Sequence, residues 1–211
     1  MFRDVLERID NACTRSGRER SDIKLVAVTK GHSVADIKEE VLAHGHRILG
    51  ENRIQEWRDK SEQLDSIEWH MIGNLQRNKV KYCRPFSLIH SLNSVRLADE
   101  LNGFGRKKDH TFKTLIEVNI AGEDSKQGLS PKNATELFHY CQDLENLEVT
   151  GLMTLAPYYD NQERTRPIFV KLCKMCDKLN ISELSMGMSN DFEVAIEEGA
   201  TLVRIGSALF S

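Results

Sequence analysis

Lys24-Leu25-Val26-Ala27-Val28-Thr29-Lys30, followed by Val34-Ala35-Asp36-Ile37-Lys38-Glu39-Glu40-Val41-Leu42, decides how the rest of the chain is read. The first run is short, apolar and rich in β-branched residues, as a strand is, and the second carries a helical pattern. A strand followed by a helix is one β-α unit, and the alternation recurs to the end of the chain. Strands are expected over 24–30, 47–51, 68–73, 88–91, 112–119, 148–154, 183–187 and 202–206, with further helical patterns at 131–143, 162–179 and 191–198. Consecutive units of this kind build a parallel sheet with helices on its outside, so the class is α/β. Eight of them close a (β/α)8 barrel of the TIM type. An open doubly wound sheet would require a glycine-rich turn directly after its first strand, and Lys30-Gly31-His32-Ser33 is not that turn. No linker or charge block divides the chain, so residues 1–211 are expected to form a single domain. The eighth strand ends near the last residue, which leaves the last barrel helix missing or very short. The helix expected over residues 1–15 should cover the open bottom or flank instead.

The bulk properties fit a soluble globular protein. The chain has 211 residues, 40% apolar and 29% charged, with a formal net charge of −3. No basic footprint points to nucleic acid, and the charged N-terminal helix is neither a leader peptide nor a membrane span. A cytoplasmic protein is expected. The 5 cysteines are odd in number and scattered, which argues against a disulfide framework. Cys173 and Cys176 form a C-x-x-C pair inside a helical pattern, with no second Cys or His pair near enough to complete a zinc site. They read as helix cysteines packed as small hydrophobes. His44-Gly45-His46 is a weaker metal motif still.

Active sites of such barrels lie at the C-terminal ends of the strands. Lys30 closes an apolar strand, so its amine is expected in a partly desolvated mouth, where the neutral form needed to attack a carbonyl is favoured. The alternative is a lysine merely exposed at a strand end. Gly206 and Ser207 close the eighth strand, and small residues there let a phosphate approach backbone N–H groups and a hydroxyl. Ser185 and the stretch Gly187-Met188-Ser189 add donors on the neighbouring strand. With an opposing lysine, these residues describe a phosphorylated aldehyde held at both ends. Arg204 cannot accept a proton. Set against the ring nitrogen of pyridoxal 5'-phosphate, it would keep that nitrogen unprotonated and weaken the ring as an electron sink. Pairing with a rim carboxylate is the alternative for Arg204.

The motifs Ala27-Val28-Thr29-Lys30, Gly50-Glu51-Asn52-Arg53-Ile54-Gln55-Glu56, Trp69-His70-Met71-Ile72-Gly73-Asn74, His90-Ser91-Leu92, Ser125-Lys126-Gln127-Gly128, Gly151-Leu152-Met153, Leu184-Ser185-Met186-Gly187-Met188-Ser189 and Val203-Arg204-Ile205-Gly206-Ser207 stand in this order over nearly the whole chain. Together they resemble the pyridoxal phosphate homeostasis proteins, a family similar to the N-terminal barrel of alanine racemase, a fold-type III pyridoxal phosphate enzyme. The resemblance implies pyridoxal 5'-phosphate as cofactor, Lys30 as the aldimine lysine and Asn52 beside the cofactor. It places Arg204 near the pyridine nitrogen and Ser185, Gly206 and Ser207 around the phosphate. His70 and Met186 complete the expected cofactor-binding set. The family often has a threonine where Ser207 stands, and Gly31-His32-Ser33-Val34 departs from its usual first loop.

Two functions follow from that resemblance. One is a binding protein that holds or delivers pyridoxal phosphate, with pyridoxal-phosphate-dependent apoenzymes as partners and no nucleic acid or membrane. The other is a low-activity amino-acid racemase. Racemisation needs a proton donor on each face of the substrate, and no convincing second partner stands among the rim residues, His70 being the candidate. The non-enzymatic reading is preferred on that ground. A phosphate-binding barrel without pyridoxal phosphate is the third possibility. The loop Glu123-Asp124-Ser125-Lys126-Gln127-Gly128 reads as solvated surface.

Overall fold

The structure is a computed structural model that describes residues 1–122 and 127–210. Eight strands, β1 (Lys24–Val28), β2 (Ile48–Glu51), β3 (Glu68–Met71), β4 (Phe86–Leu92), β5 (Phe112–Glu117), β6 (Leu147–Met153), β7 (Glu183–Ser185) and β8 (Leu202–Ile205), pair in sequence order. β8 returns to β1 in parallel, Ala27 opposite Ile205, and closes the barrel. The helices are α1 (Phe2–Ser16), α2 (Val34–Glu40), α3 (Ile54–Ser61), α4 (Val95–Lys108), α5 (Pro131–Cys141), α6 (Arg166–Leu179), α7 (Phe192–Glu197) and α8 (Ser207–Phe210). Between β3 and β4 the expected helix is replaced by a 3-10 segment, Arg77–Tyr82.

The strands read as continuous apolar runs because both of their faces are buried. Val26, Leu88, Leu115, Met153 and Leu202 meet inside the barrel. Their neighbours Leu25, Ala27, Leu49, Ile89, Ile116, Leu152 and Val203 belong to the outer core, which the helices cover. Burying one such aliphatic side chain stabilises the fold by about 1.5–3 kcal/mol, and the outer layer contains most of them.

α1 carries the buried stripe Phe2, Val5, Ile9, Ala12 and Cys13, spaced three and four apart, and stops at Gly17, whose φ of 67° suits a left-handed cap. It lies on the flank of the barrel. Arg8 and Arg15 reach Glu193 and Glu197 on α7, at 2.5 and 2.7 Å, and Phe2 stacks on His44 at 4.8 Å between ring centroids. It thus fills the place that the short α8 leaves open.

Strands β1, β3, β5 and β7 end two residues earlier than their apolar runs suggest. The β1–β8 ladder stops at the Ala27–Ile205 pair, and the chain then turns through Gly31 at φ 76° after β1 and Gly187 at φ 90° after β7. β4 and β6 begin earlier than expected. The pattern at 162–179 divides into a 3-10 turn and α6. On α6, Cys176 is buried and its thiol is pushed up to about 12 by that burial, while Cys173 is half-buried. His46 bonds to the Ile48 carbonyl at 3.0 Å. Among the described residues no group of His, Cys, Asp and Glu is placed to hold a metal ion. No described helix is long and apolar enough to cross a membrane. Of the expected 123–128 loop, residues 123–126 lie outside the described residues.

Candidate functional site

Lys30 lies two residues past β1, exposed, in a turn that the His32 N–H closes on the Thr29 carbonyl at 3.2 Å. The partly desolvated setting expected for it is therefore not its setting here, because the strand ends before it and the turn lifts it clear. What lies under the turn is buried and charged. Lys60 Nζ donates to the Thr29 carbonyl at 2.6 Å and to Glu51 Oε1 at 2.5 Å, and the Thr29 hydroxyl donates to the same oxygen at 2.6 Å. Glu51 is 0% exposed and its second oxygen has no partner. The Gly31 N–H adds a bond to Glu56 at 3.1 Å. A buried ion pair of this kind contributes little net stability against an apolar pair but is costly to break from one side, so the peptide before Lys30 is tied firmly to α3 and β2.

The eighth strand delivers a second polar end beside the first. Gly206 and Ala208 both point their N–H groups at one acceptor, the Ser189 hydroxyl, at 3.3 and 3.4 Å. A Cβ at Gly206 would stand 3.3 Å from the Val28 carbonyl oxygen, so glycine lets this turn close against the end of β1. The loop that carries Ser189 is shaped by Gly187, where a Cβ would meet that of Ala195 at 2.6 Å, and by Asp191, which accepts from the Met188 N–H at 2.7 Å. Ser207 is exposed on the same turn.

Beneath these turns lies Arg204, 4% exposed on the lumen side of β8. It donates to the Ser185 hydroxyl at 2.5 Å and to the Thr154 carbonyl at 2.9 Å. Burial pulls its guanidinium down to about 10, and the charges of Asp191 and Glu117 offset part of that effect. Glu117 is itself buried, and burial raises its carboxyl despite the pull of Arg204. His90 Nδ1 sits 2.8 Å from the Ser185 hydroxyl, and its Nε2 sits 2.9 Å from His70 Nδ1. His70 Nε2 then reaches Glu68 at 3.0 Å.

The expected site residues therefore separate into three groups. Lys30, Gly206 and Ser207 stand at the mouth, and Asn52 is half-buried next to it, where Gly73 passes so close that a Cβ would lie 2.3 Å from the Asn52 carbonyl. Arg204, Ser185 and His70 lie inside the barrel, so Ser185 is engaged with Arg204 and not with the rim, and His70 is engaged with His90 and Glu68. Met186 is buried in the outer core between sheet and helices. Alternation along the strand explains the split: Ser185 faces the lumen, Met186 the helices, and only past Gly187 does the chain reach the mouth. Ser189 was expected only as part of the donor stretch Gly187-Met188-Ser189, His90 and Glu51 stood only inside longer motifs, and Lys60, which completes the Glu51–Lys60 pair, was not singled out from sequence. A signal existed for the pair, since Lys60 follows Ile54 and Trp57 at three-residue spacing on the buried face of α3.

The described residues fit a phosphorylated aldehyde by their donor set: an exposed amine, two N–H groups converging on one acceptor position, and a buried guanidinium in the lumen below. Comparison with known proteins agrees. The family model described as alanine racemase, N-terminal domain, matches residues 6–211. A protein of Aquifex aeolicus named pyridoxal phosphate homeostasis protein is 48% identical, covering 98% of this chain and 94% of its own. The structure of PipY of Synechococcus elongatus with pyridoxal phosphate (PLP) bound is 32% identical and superposes with a TM-score of 0.84, over 98% of this chain and 100% of that one. An alanine racemase of Clostridium difficile, 16% identical, shares the fold with a TM-score of 0.80 over 99% of this chain and 56% of its own.

Proposed function

We propose a function from one premise: the chain belongs to the pyridoxal phosphate homeostasis protein family, built on the alanine racemase N-terminal domain. The protein binds pyridoxal 5'-phosphate and takes part in its homeostasis, holding the cofactor on Lys30 and releasing it to dependent apoenzymes. The observation that carries this reading is the pairing of β1 with β8, which sets the Lys30 turn beside the N–H pair of Gly206 and Ala208.

The bound cofactor supplies an electrophilic aldehyde and an electron-withdrawing ring. The Lys30 amine would be the nucleophile that holds that aldehyde. The Gly206 and Ala208 N–H groups, with the Ser189 and Ser207 hydroxyls, would hold the phosphate as donors. Arg204, which only donates, would hold the ring nitrogen without protonating it. Asn52 lines the flank.

Storage and delivery are favoured over catalysis by the fate of His70. The one candidate for a second proton donor lies in the lumen, bonded on both sides, so it does not reach the mouth. The free cysteines suit a reducing compartment, and the cytoplasm is the proposed setting.

Borohydride reduction followed by peptide mapping tests the assignment. The adduct is expected on Lys30, and Lys30→Ala should remain folded and lose it; an adduct on another lysine in that variant refutes the placement. Solvent deuterium exchange into L-alanine, run against a racemase with equal cofactor content, separates the two functions. Exchange at a comparable rate would make the protein an enzyme.

A further inference from the structure

The lumen holds a file of four hydrogen bonds that runs from beneath the mouth towards the opposite end of the barrel: Arg204 to Ser185, Ser185 to His90, His90 to His70, and His70 to Glu68. Arg204, Ser185, His90 and His70 are 4%, 0%, 0% and 1% exposed, while the Glu68 side chain is 41% exposed at the start of β3. Of these residues only Arg204 is used at the mouth, and a buried polar file must be fully satisfied to persist.

Its two ends fix its direction. A guanidinium has donors only, and a carboxylate accepts only. With both imidazoles neutral, one arrangement of protons satisfies every member. His70 donates from Nε2 to Glu68 and accepts at Nδ1 from His90 Nε2–H. His90 then accepts at Nδ1 from the Ser185 hydroxyl, whose oxygen is left to accept from Arg204. The other charged and titratable groups around the file are Glu117 and Asp191, both acting on Arg204, and Lys24 and His46, acting on Glu68. Burial, the His70 ring and the Arg204 charge all lower His90 well below the ordinary histidine value, which is consistent with a neutral ring. The bond from His70 is the largest effect holding Glu68 below its ordinary range.

We propose that His70 and His90 are positioning residues which, through the oriented Ser185 hydroxyl, hold the Arg204 guanidinium in one fixed pose beneath the bound ring. The proposal rests on the function above, since the ring is that of the proposed cofactor. Glu68 anchors the file at the solvent-accessible end. Without the file, the Ser185 proton is free to turn towards Arg204, and the guanidinium loses one of its two acceptors.

Nitrogen-15 NMR of the histidine rings in the cofactor-free protein near neutral pH reads the file directly and needs no substitution. Both rings are expected to carry a single proton, on Nε2. A proton on Nδ1 of His90, or a doubly protonated His70, reverses the direction and overturns the proposal. In cofactor-loaded protein, His90→Leu should shift the absorption band of the Lys30 adduct and weaken retention about tenfold, the scale of one hydrogen bond to a charged group. His90→Gln, which keeps an acceptor for Ser185, should recover both; His70→Gln is the second variant should His90→Leu not fold. An unchanged band and unchanged retention in a folded, loaded His90→Leu protein overturn the proposal. Failure of the unsubstituted protein to take up the aldehyde refutes the function and with it the role toward the ring, while the NMR result still decides the file.

Discussion

Single residues carry two predictions. Lys60→Met leaves the buried Glu51 carboxylate without its cation, and breaking such a pair from one side costs about 3–5 kcal/mol. Urea unfolding should record that loss, and the double variant Lys60→Met with Glu51→Leu should recover most of it; a neutral single variant would mean that the pair is not desolvated. Ser189→Ala should weaken retention of pyridoxal 5'-phosphate about tenfold while leaving pyridoxal unaffected, measured by dialysis against each. Equal loss of both would move the phosphate elsewhere. That Lys30 follows the first strand was legible from the apolar run before it, but its exposure was not, because β1 stops at Val28 and the chain turns before the lysine. Ser185 was harder. A serine near a strand end reads alike whether it faces lumen or mouth, and the choice is made by the last ladder bond of β7, which depends on its partner strands.

At the level of elements, the eight strands were readable because burial on both faces writes them as apolar runs, whereas their ends were not, since ladders stop where a neighbour stops. The 3-10 segment Arg77–Tyr82 was unreadable for the opposite reason: Val80 is its only buried residue, so no apolar period marks it. Among the glycines the tightest setting is Gly151 on β6, where a Cβ would lie 1.9 Å from the Glu183 carbonyl oxygen on β7. Gly151→Ala must push two backbones apart, and overpacking typically costs about 1–3 kcal/mol or more. A lowered thermal midpoint is expected, and a midpoint equal to that of the unsubstituted protein would show that β6 and β7 give way freely.

For the molecule as a whole, the lowered groups fix how stability follows pH. His90 and His46 are both held below the ordinary value of 6.5, chiefly by burial. The unfolded chain therefore binds more protons there, and stability should fall as the pH drops through 6.5 towards their folded values. Glu197 and Glu68 have folded values below 4.5: in Glu197, burial opposes the shift and bonds from Arg166 and Arg15 outweigh it, and Glu68 is lowered mainly by His70. Their contribution is present above 4.5 and is lost below it. Glu117, raised by burial, has the opposite sign and loses its contribution as the pH rises. Urea midpoints taken across this range should fall in two stages, and His90→Gln should shrink the first without altering the second; a single stage in both proteins would refute the assignment. The closure of the sheet has a last consequence. β1 and β8 are the first and last strands to be synthesised, and they meet only at the seam where Lys30 and the Gly206–Ala208 turn lie side by side. A ligand gripped by both turns, as proposed, would work as a clasp across that seam. A nascent chain still missing β8 has the lysine and no counterpart for it, so retention of the ligand at both ends would certify that β8 has docked.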